Sequence, residues 1–134
     1  MRPRIVEELA LLRETYPDVQ HLEAGGQDWF LLPAYPFPEG WRVNDQPINT
    51  APVCFPVNAA YPGTNPYSFS TPAGISFEGR LPTNSEATAA PPFAGAWHQF
   101  SWQPEQWLPT ADVRRGANLL VWTRGFRARL KEGA

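Results

Sequence analysis

The amino-acid sequence predicts an α+β fold, and three observations predict it. Near the start, Ile5, Leu9, Leu12 and Tyr16 recur at helical spacing; in the middle, two neighbouring segments alternate apolar and polar residues; near the end, Leu119, Trp122, Phe126 and Leu130 recur at spacings of three and four. A helix, an antiparallel sheet of about four strands and a second helix are the expected elements.

The first helix carries Glu7, Glu8, Arg13 and Glu14 on its other faces, and Pro17 blocks its continuation. Its expected role is docking onto the sheet. Asp28 to Leu32 then reads as a strand, leading into Pro33, Ala34, Tyr35, Pro36, Phe37, Pro38, Glu39, Gly40 and Trp41, whose prolines preclude a central strand. The aromatic residues of that stretch favour an irregular loop anchored on the core, with a polyproline-type ligand as the alternative. Val53, Phe55 and Val57 alternate with Cys54 and Pro56; after a turn at Tyr61-Pro62-Gly63, Tyr67, Phe69 and Thr71 alternate with Ser68 and Ser70. These are the two neighbouring antiparallel strands, and Ile75 and Phe77 suggest a short extension. From Leu81 to Gly95 the composition turns to Pro, Thr, Asn, Ser and Ala, so a long loop, functional or mobile, is expected there. Trp97, Phe100, Trp102 and Trp107 are expected to form an aromatic cluster, and Thr110 or Asp112 to cap the C-terminal helix. Gly116 and Gly125 weaken that helix, each by ~1 kcal/mol relative to alanine. Arg114, Arg115, Arg124, Arg127, Arg129 and Lys131 on its other faces make either a solvated surface or a docking site for an acidic partner or nucleic acid.

Bulk properties narrow the function. The chain has 134 residues, within the usual size of one domain, and its 43% apolar content with six tryptophans supports a real core. Its formal charge of −2 gives no overall attraction to phosphates, so nucleic acid is not the expected partner. One cysteine and two histidines make neither an internal disulfide nor an ordinary Cys/His zinc site, so a metal-free cytoplasmic protein without a cofactor is expected. No run approaches the ~20 consecutive apolar residues of a membrane helix, and the charged start does not read as a signal peptide. No internal repeat, phosphate-binding glycine loop or Ser-His-Asp signature is present, and Glu78 and Glu86 stand alone, without the partner glycosidase chemistry needs.

Val53-Cys54-Phe55-Pro56, Tyr61-Pro62, Pro66 and Tyr67-Ser68-Phe69-Ser70-Thr71 together resemble the ubiquitin-conjugating-enzyme family, in which a strand delivers a Tyr-Pro turn and the next strand ends in phenylalanine and threonine. Trp107-Leu108-Pro109 is similar to the family's Trp-Ser-Pro before the helix that follows its active site. The run from Leu32 through Pro33, Tyr35, Pro36, Phe37 and Pro38 to Trp41, with the tail from Trp107, is similar to a prokaryotic branch whose members accompany ubiquitin-like proteins, activating enzymes and peptidases in bacterial defence operons. The resemblance spans Ile5 to Leu130 and implies a conjugation role, with a ubiquitin-like protein and its activating enzyme as partners and another conjugating-type subunit as a further one.

The departures matter more. The family places a His-Pro-Asn triplet shortly before its catalytic cysteine; here the nearest echo is Leu81-Pro82-Thr83-Asn84, and no cysteine lies between Asn84 and Trp107. Cys54 sits among Val53, Phe55 and Val57, where a cysteine behaves as a small hydrophobe and not as a nucleophile. A hydroxyl can replace the thiol, forming an oxyester, but it needs a positioned base. The loop supplies Thr83, Ser85 and Thr88, with His98 within reach. Ser85 as nucleophile, His98 as base and Asn84 as carbonyl polariser would fill the minimum roles, while a histidine beside Trp97 and Phe100 is also an ordinary packing residue. Nothing beside His21 suggests a role. Two functions follow: an acyl-transfer component without a catalytic cysteine, or a noncatalytic relative that binds a ubiquitin-like protein, an activating enzyme or a conjugating enzyme.

Overall fold

A computed structural model describes all residues, Met1–Ala134. Its architecture is α+β: an N-terminal helix, antiparallel sheets and a C-terminal helix. The elements are α1 (Pro3–Thr15), β1 (Gln20–Ala24), β2 (Gln27–Pro36), β3 (Trp41–Val43), β4 (Gln46–Pro47), β5 (Thr50–Val57), β6 (Phe69–Pro72), β7 (Ile75–Phe77), β8 (Ser85–Thr88), β9 (Trp97–Phe100) and α2 (Leu119–Lys131). The main sheet has six strands in the order β1-β2-β5-β6-β9-β8, and a small sheet has the order β4-β3-β7. Of the expected strands, Asp28 to Leu32 falls in β2 and the two alternating segments are β5 and β6, side by side in the main sheet, whereas the short extension at Ile75 and Phe77 is β7 of the small sheet. No helix is long and apolar enough to cross a membrane.

The two alternating segments become β5 and β6, paired antiparallel through Cys54↔Ser70. Alternation sends Phe30 and Leu32, Val53 and Phe55, Phe69 and Phe100 to one face, where both helices cover them. Phe126 of α2 lies 4.3 Å from the Phe69 ring and 5.7 Å from those of Phe55 and Tyr35, so α2 seats its aromatic stripe across β6, β5 and β2. The opposite face holds a smaller cluster of Trp29, Cys54 and Trp97, with Leu31 and Phe93 packed against it.

β2 runs through Pro33 and Pro36, beyond the predicted Leu32. It does so because β1 pairs only with Gln27 to Leu31, and a bulge between Leu32 and Tyr35 breaks the ladder to β5. The prolines thus occupy a stretch with one neighbouring strand, where a missing N–H is tolerated. Tyr35, Phe37 and Trp41 are all buried, as anchors of that stretch. Trp41 donates its indole N–H to the Leu130 carbonyl (2.9 Å), which fixes the small sheet to the end of α2.

Three expectations are corrected. Glu8 is fully buried, not on a solvated face: its Oε2 accepts from Arg4 Nε (3.0 Å) and the Tyr61 hydroxyl, and its Oε1 from the Leu119 N–H (2.9 Å). α2 begins at Leu119, capped by Asn118, whose Oδ1 accepts from the Val121 N–H (2.8 Å); Thr110 and Asp112 belong to the preceding loop. Gly116 prevents an earlier start, because its φ of +72° lies in the left-handed region and a Cβ there would meet the Leu108 carbonyl oxygen at 2.5 Å. The four late aromatics do not gather: Trp97 lies in the small cluster, Phe100 in the main core, Trp102 bonds the Gly125 carbonyl (3.2 Å), and Trp107 packs on Tyr61 and donates to the Pro62 carbonyl (2.9 Å).

Candidate functional site

The span from Leu81 to Gly95 is not one long loop. Ser85 to Thr88 pairs with Trp97 to Phe100 as an antiparallel hairpin, with Ser85↔Phe100, Ala87↔His98 and Thr88↔Trp97 opposite one another. The strand is invisible in the sequence because Glu86 and Ala87 are both exposed, so no apolar alternation marks it. β9 supplies the apolar template through buried Trp97 and Phe100.

This register places Ser85 and His98 on one face of the hairpin as diagonal neighbours, and His98 Nε2 lies 2.7 Å from Ser85 Oγ. His98 sits half-buried between Thr71 of β6 and Ala87 of β8, with its ring 5.9 Å from that of Phe100. Burial lowers its pKa below the ordinary imidazole value, against a smaller opposing pull from the Glu86 carboxylate. The ring is therefore held neutral at neutral pH, the state in which a base accepts a proton.

Ser85 has a second partner, the Pro82 carbonyl, at 2.6 Å. A hydroxyl carries one proton, so two arrangements exist. With that proton on Pro82 O, His98 Nε2 carries its own hydrogen and donates to Oγ; with the hydroxyl turned, Ser85 donates to the Nε2 lone pair. Only the second arrangement makes Ser85 a nucleophile and His98 its base.

The other predicted residues are spread around this pair. Asn84 precedes Ser85 with a φ of +51°, its carbonyl accepts from the Ser101 N–H (2.8 Å), and its exposed carboxamide has no hydrogen bond in the protein. Thr83 contributes its backbone: its carbonyl accepts from Arg129 Nη2 (2.8 Å). Thr88 lies on the opposite face of the hairpin from Ser85, and its Oγ1 accepts from the Ala90 N–H (3.2 Å), so it does not join the pair.

Cys54 is fully buried under Trp29 and Trp97, and burial pushes its thiol pKa up to about 12. A thiol so buried and so shifted is disfavoured as a thiolate nucleophile in the native chain. His21, which had no apparent role, bonds Asp28 through Nε2 (2.8 Å) at the β1–β2 hairpin. No group of three or more His, Cys, Asp or Glu residues is arranged to hold a metal ion.

Sequence reasoning missed two contributors. Pro82 acts through its carbonyl, which no side-chain pattern reveals. Arg129 counted as part of a basic surface, yet it is 2% exposed, donates from Nη1 to the Gly133 carbonyl (2.8 Å) as well as to Thr83, and lies 5.0 Å from the centroid of the Phe100 ring. Its helical spacing from Trp122 and Phe126 was the available signal.

Ser85 and His98 do not line either of two prominent clefts. One, of about 910 Å³, lies among Glu39, Trp41, Arg42 and Glu78; the other, of about 300 Å³, runs past Trp29, Tyr67 and Pro91 on the opposite face of the sheet. The pair instead stands at the sheet edge, unlike the concave sites that enclose small molecules. Comparison of the chain with protein-family models, curated proteins and solved structures finds no match.

Proposed function

We propose that this chain is a ubiquitin-conjugating-enzyme-like acyl-transfer component in which Ser85, with His98 as its base, takes the place of the missing cysteine. The observation that carries the reading is the 2.7 Å contact between Ser85 Oγ and His98 Nε2, with the histidine held neutral by burial. In the proposed step, Ser85 Oγ bonds to the carbonyl carbon of a thioester presented by an activating enzyme while its proton passes to His98 Nε2. The carbon–sulfur bond then breaks, and the departing sulfur takes that proton as a thiol. The exposed Asn84 carboxamide, one residue away, is the donor for the developing oxyanion.

The acyl group, on this reading, is the C-terminus of a ubiquitin-like protein, and the pathway a bacterial conjugation system serving antiphage defence. Family resemblance is the support for that part. Contact between its two landmarks adds to it: Trp107 packs on Tyr61 with ring centroids 5.7 Å apart and bonds the Pro62 carbonyl.

The test combines the chain with a bacterial activating enzyme, the ubiquitin-like protein it charges, and ATP. An adduct that resists thiol reductants and is cleaved by hydroxylamine is expected, and Ser85→Ala should abolish it while Thr88→Ala leaves it intact. An adduct that persists in Ser85→Ala refutes the assignment of the nucleophile. A second reading, a noncatalytic binding module, is favoured by the 2.6 Å bond from Ser85 Oγ to the Pro82 carbonyl, which would make the serine a structural pin. That reading expects reversible binding of the same partners and no covalent species.

A further inference from the structure

β8 is an edge strand of the main sheet, since the order ends β6-β9-β8. Its outward groups follow from the ladder. Asn84 O accepts from Ser101 N at 2.8 Å, one register step beyond the Ser85↔Phe100 pair. Because antiparallel pairs alternate between bonded and non-bonded, Glu86↔Gln99 and Thr88↔Trp97 are the bonded pairs, and the N–H and C=O groups of Ser85 and Ala87 point away from β9. Those two residues therefore present a row of open donors and acceptors on the strand that carries the candidate nucleophile. Ala87 is exposed and small, so a second backbone has room to approach, and no bulky side chain of β8 shields Ser85 from it.

We propose that the acyl donor's C-terminal segment binds as an added strand along β8, antiparallel to it, with its last residue at Ser85. This rests on the acyl-transfer reading and names how the donor is held. The direction follows from the strand itself: β8 extends from Ser85 toward Thr88, so only a segment running from Thr88 to Ser85 has its body on the ladder and its terminal carbonyl at the hydroxyl. Main-chain bonding of this kind reads an extended shape and tolerates many side chains. Exposed Glu86, on the face opposite Ser85, favours a basic residue at the neighbouring position of the tail.

The probe is a synthetic hexapeptide of alternating valine and lysine ending in glycine, used as a free acid and as a C-terminal thioester. Titration of the free acid into ¹⁵N-labelled protein should shift the Ser85 and Ala87 amides, and N-methylation of the peptide's alternate amides should abolish the shift. With the thioester, Ala87→Pro, which removes an outward N–H that β9 does not use, should lower the rate of Ser85 acylation about fivefold or more, as expected for one lost backbone bond. Equal acylation of Ser85 by plain and N-methylated thioesters overturns the added strand and leaves acyl transfer standing. Shifts at Ser85 and Ala87 without any ester uphold the strand and overturn acyl transfer. No shift at either amide overturns the strand even if Ala87→Pro fails to fold.

Discussion

Replacing Glu8 with glutamine is the sharpest test of how the two helices are joined. Three donors converge on this fully buried carboxylate: Arg4 Nε and the Tyr61 hydroxyl at one oxygen, and the Leu119 N–H at the other. A carboxamide keeps the size but offers one oxygen and one NH₂. If the oxygen stays with Arg4 and Tyr61, the NH₂ faces the Leu119 N–H, and the first turn of α2 loses an acceptor while a donor is pressed against a donor. Turning the amide trades that clash for two. The cost is one charge-assisted bond, about 1.5–3 kcal/mol, with a further penalty for the unpaired buried donor, so about 2–4 kcal/mol is expected. Against a total stability of about 5–15 kcal/mol for a domain, this is a large fraction. Urea denaturation of Glu8→Gln and the parent protein at neutral pH measures it through the shift in midpoint at constant slope. A loss below about 1 kcal/mol would refute the argument, because it would mean that the three donors do not depend on the carboxylate.

Further outcomes follow from single positions. Gly125 lies inside α2, and a Cβ added to it would meet nothing within 4 Å, so Gly125→Ala should stabilise the protein by about 0.5–1 kcal/mol in the same denaturation assay; a destabilised variant would contradict an open helix surface there. Cys54 should resist iodoacetamide in the native protein and react fully in urea, as fits its complete burial and its pKa of about 12; rapid native labelling would contradict that burial. His98 has a lowered folded-state pKa, so the unfolded chain takes up the proton first as pH falls. Its contribution to stability is thus present above the ordinary imidazole value of about 6.5 and lost as pH drops through the lowered one. Denaturation midpoints for the parent should fall more steeply than those of His98→Gln between about pH 7 and pH 5, and equal slopes would remove the titration from His98.

Both helices and the β5–β6 pair were legible because each buries a strong periodic pattern on a single face. Ile5, Leu9 and Leu12 are buried where helical spacing puts them, and Val53, Phe55 and Phe69 where strand alternation does. What stayed hidden was made of residues whose partners are distant in the chain. Glu8 looks like one of several surface acids until Tyr61 and Leu119 surround it. β8 carries no alternation because it is an edge with exposed residues on both faces, and β1 and β4 are short and similarly exposed. At the candidate site, the proximity of Ser85 to His98 was legible from the hydroxyl-rich segment lying ahead of a rare histidine. The placement of Thr88 on the other face was not, because facing depends on a strand the composition concealed.

Arg129 shows how a charge read as surface ends up organising the site. Its side chain enters the core between the end of α2 and β9 without a salt bridge, and burial lowers its pKa against a smaller opposing pull from the Glu132 carboxylate. The cation is tolerated because everything around it is electron-rich: the Gly133 carbonyl just beyond the helix, the negative end of the α2 dipole, the face of Phe100 and the Thr83 carbonyl. That last bond reaches from α2 to the residue before Asn84. Thr83 is thus tied to the helix, Asn84 turns through its left-handed conformation, and Ser85 enters β8 bonded to Pro82 and His98. Ser85 is consequently fixed from both sides although it stands on a sheet edge. Under the proposed acyl transfer its backbone needs no rearrangement, and rotation of a single hydroxyl, from the Pro82 carbonyl to His98 Nε2, would separate the structural pin from the nucleophile.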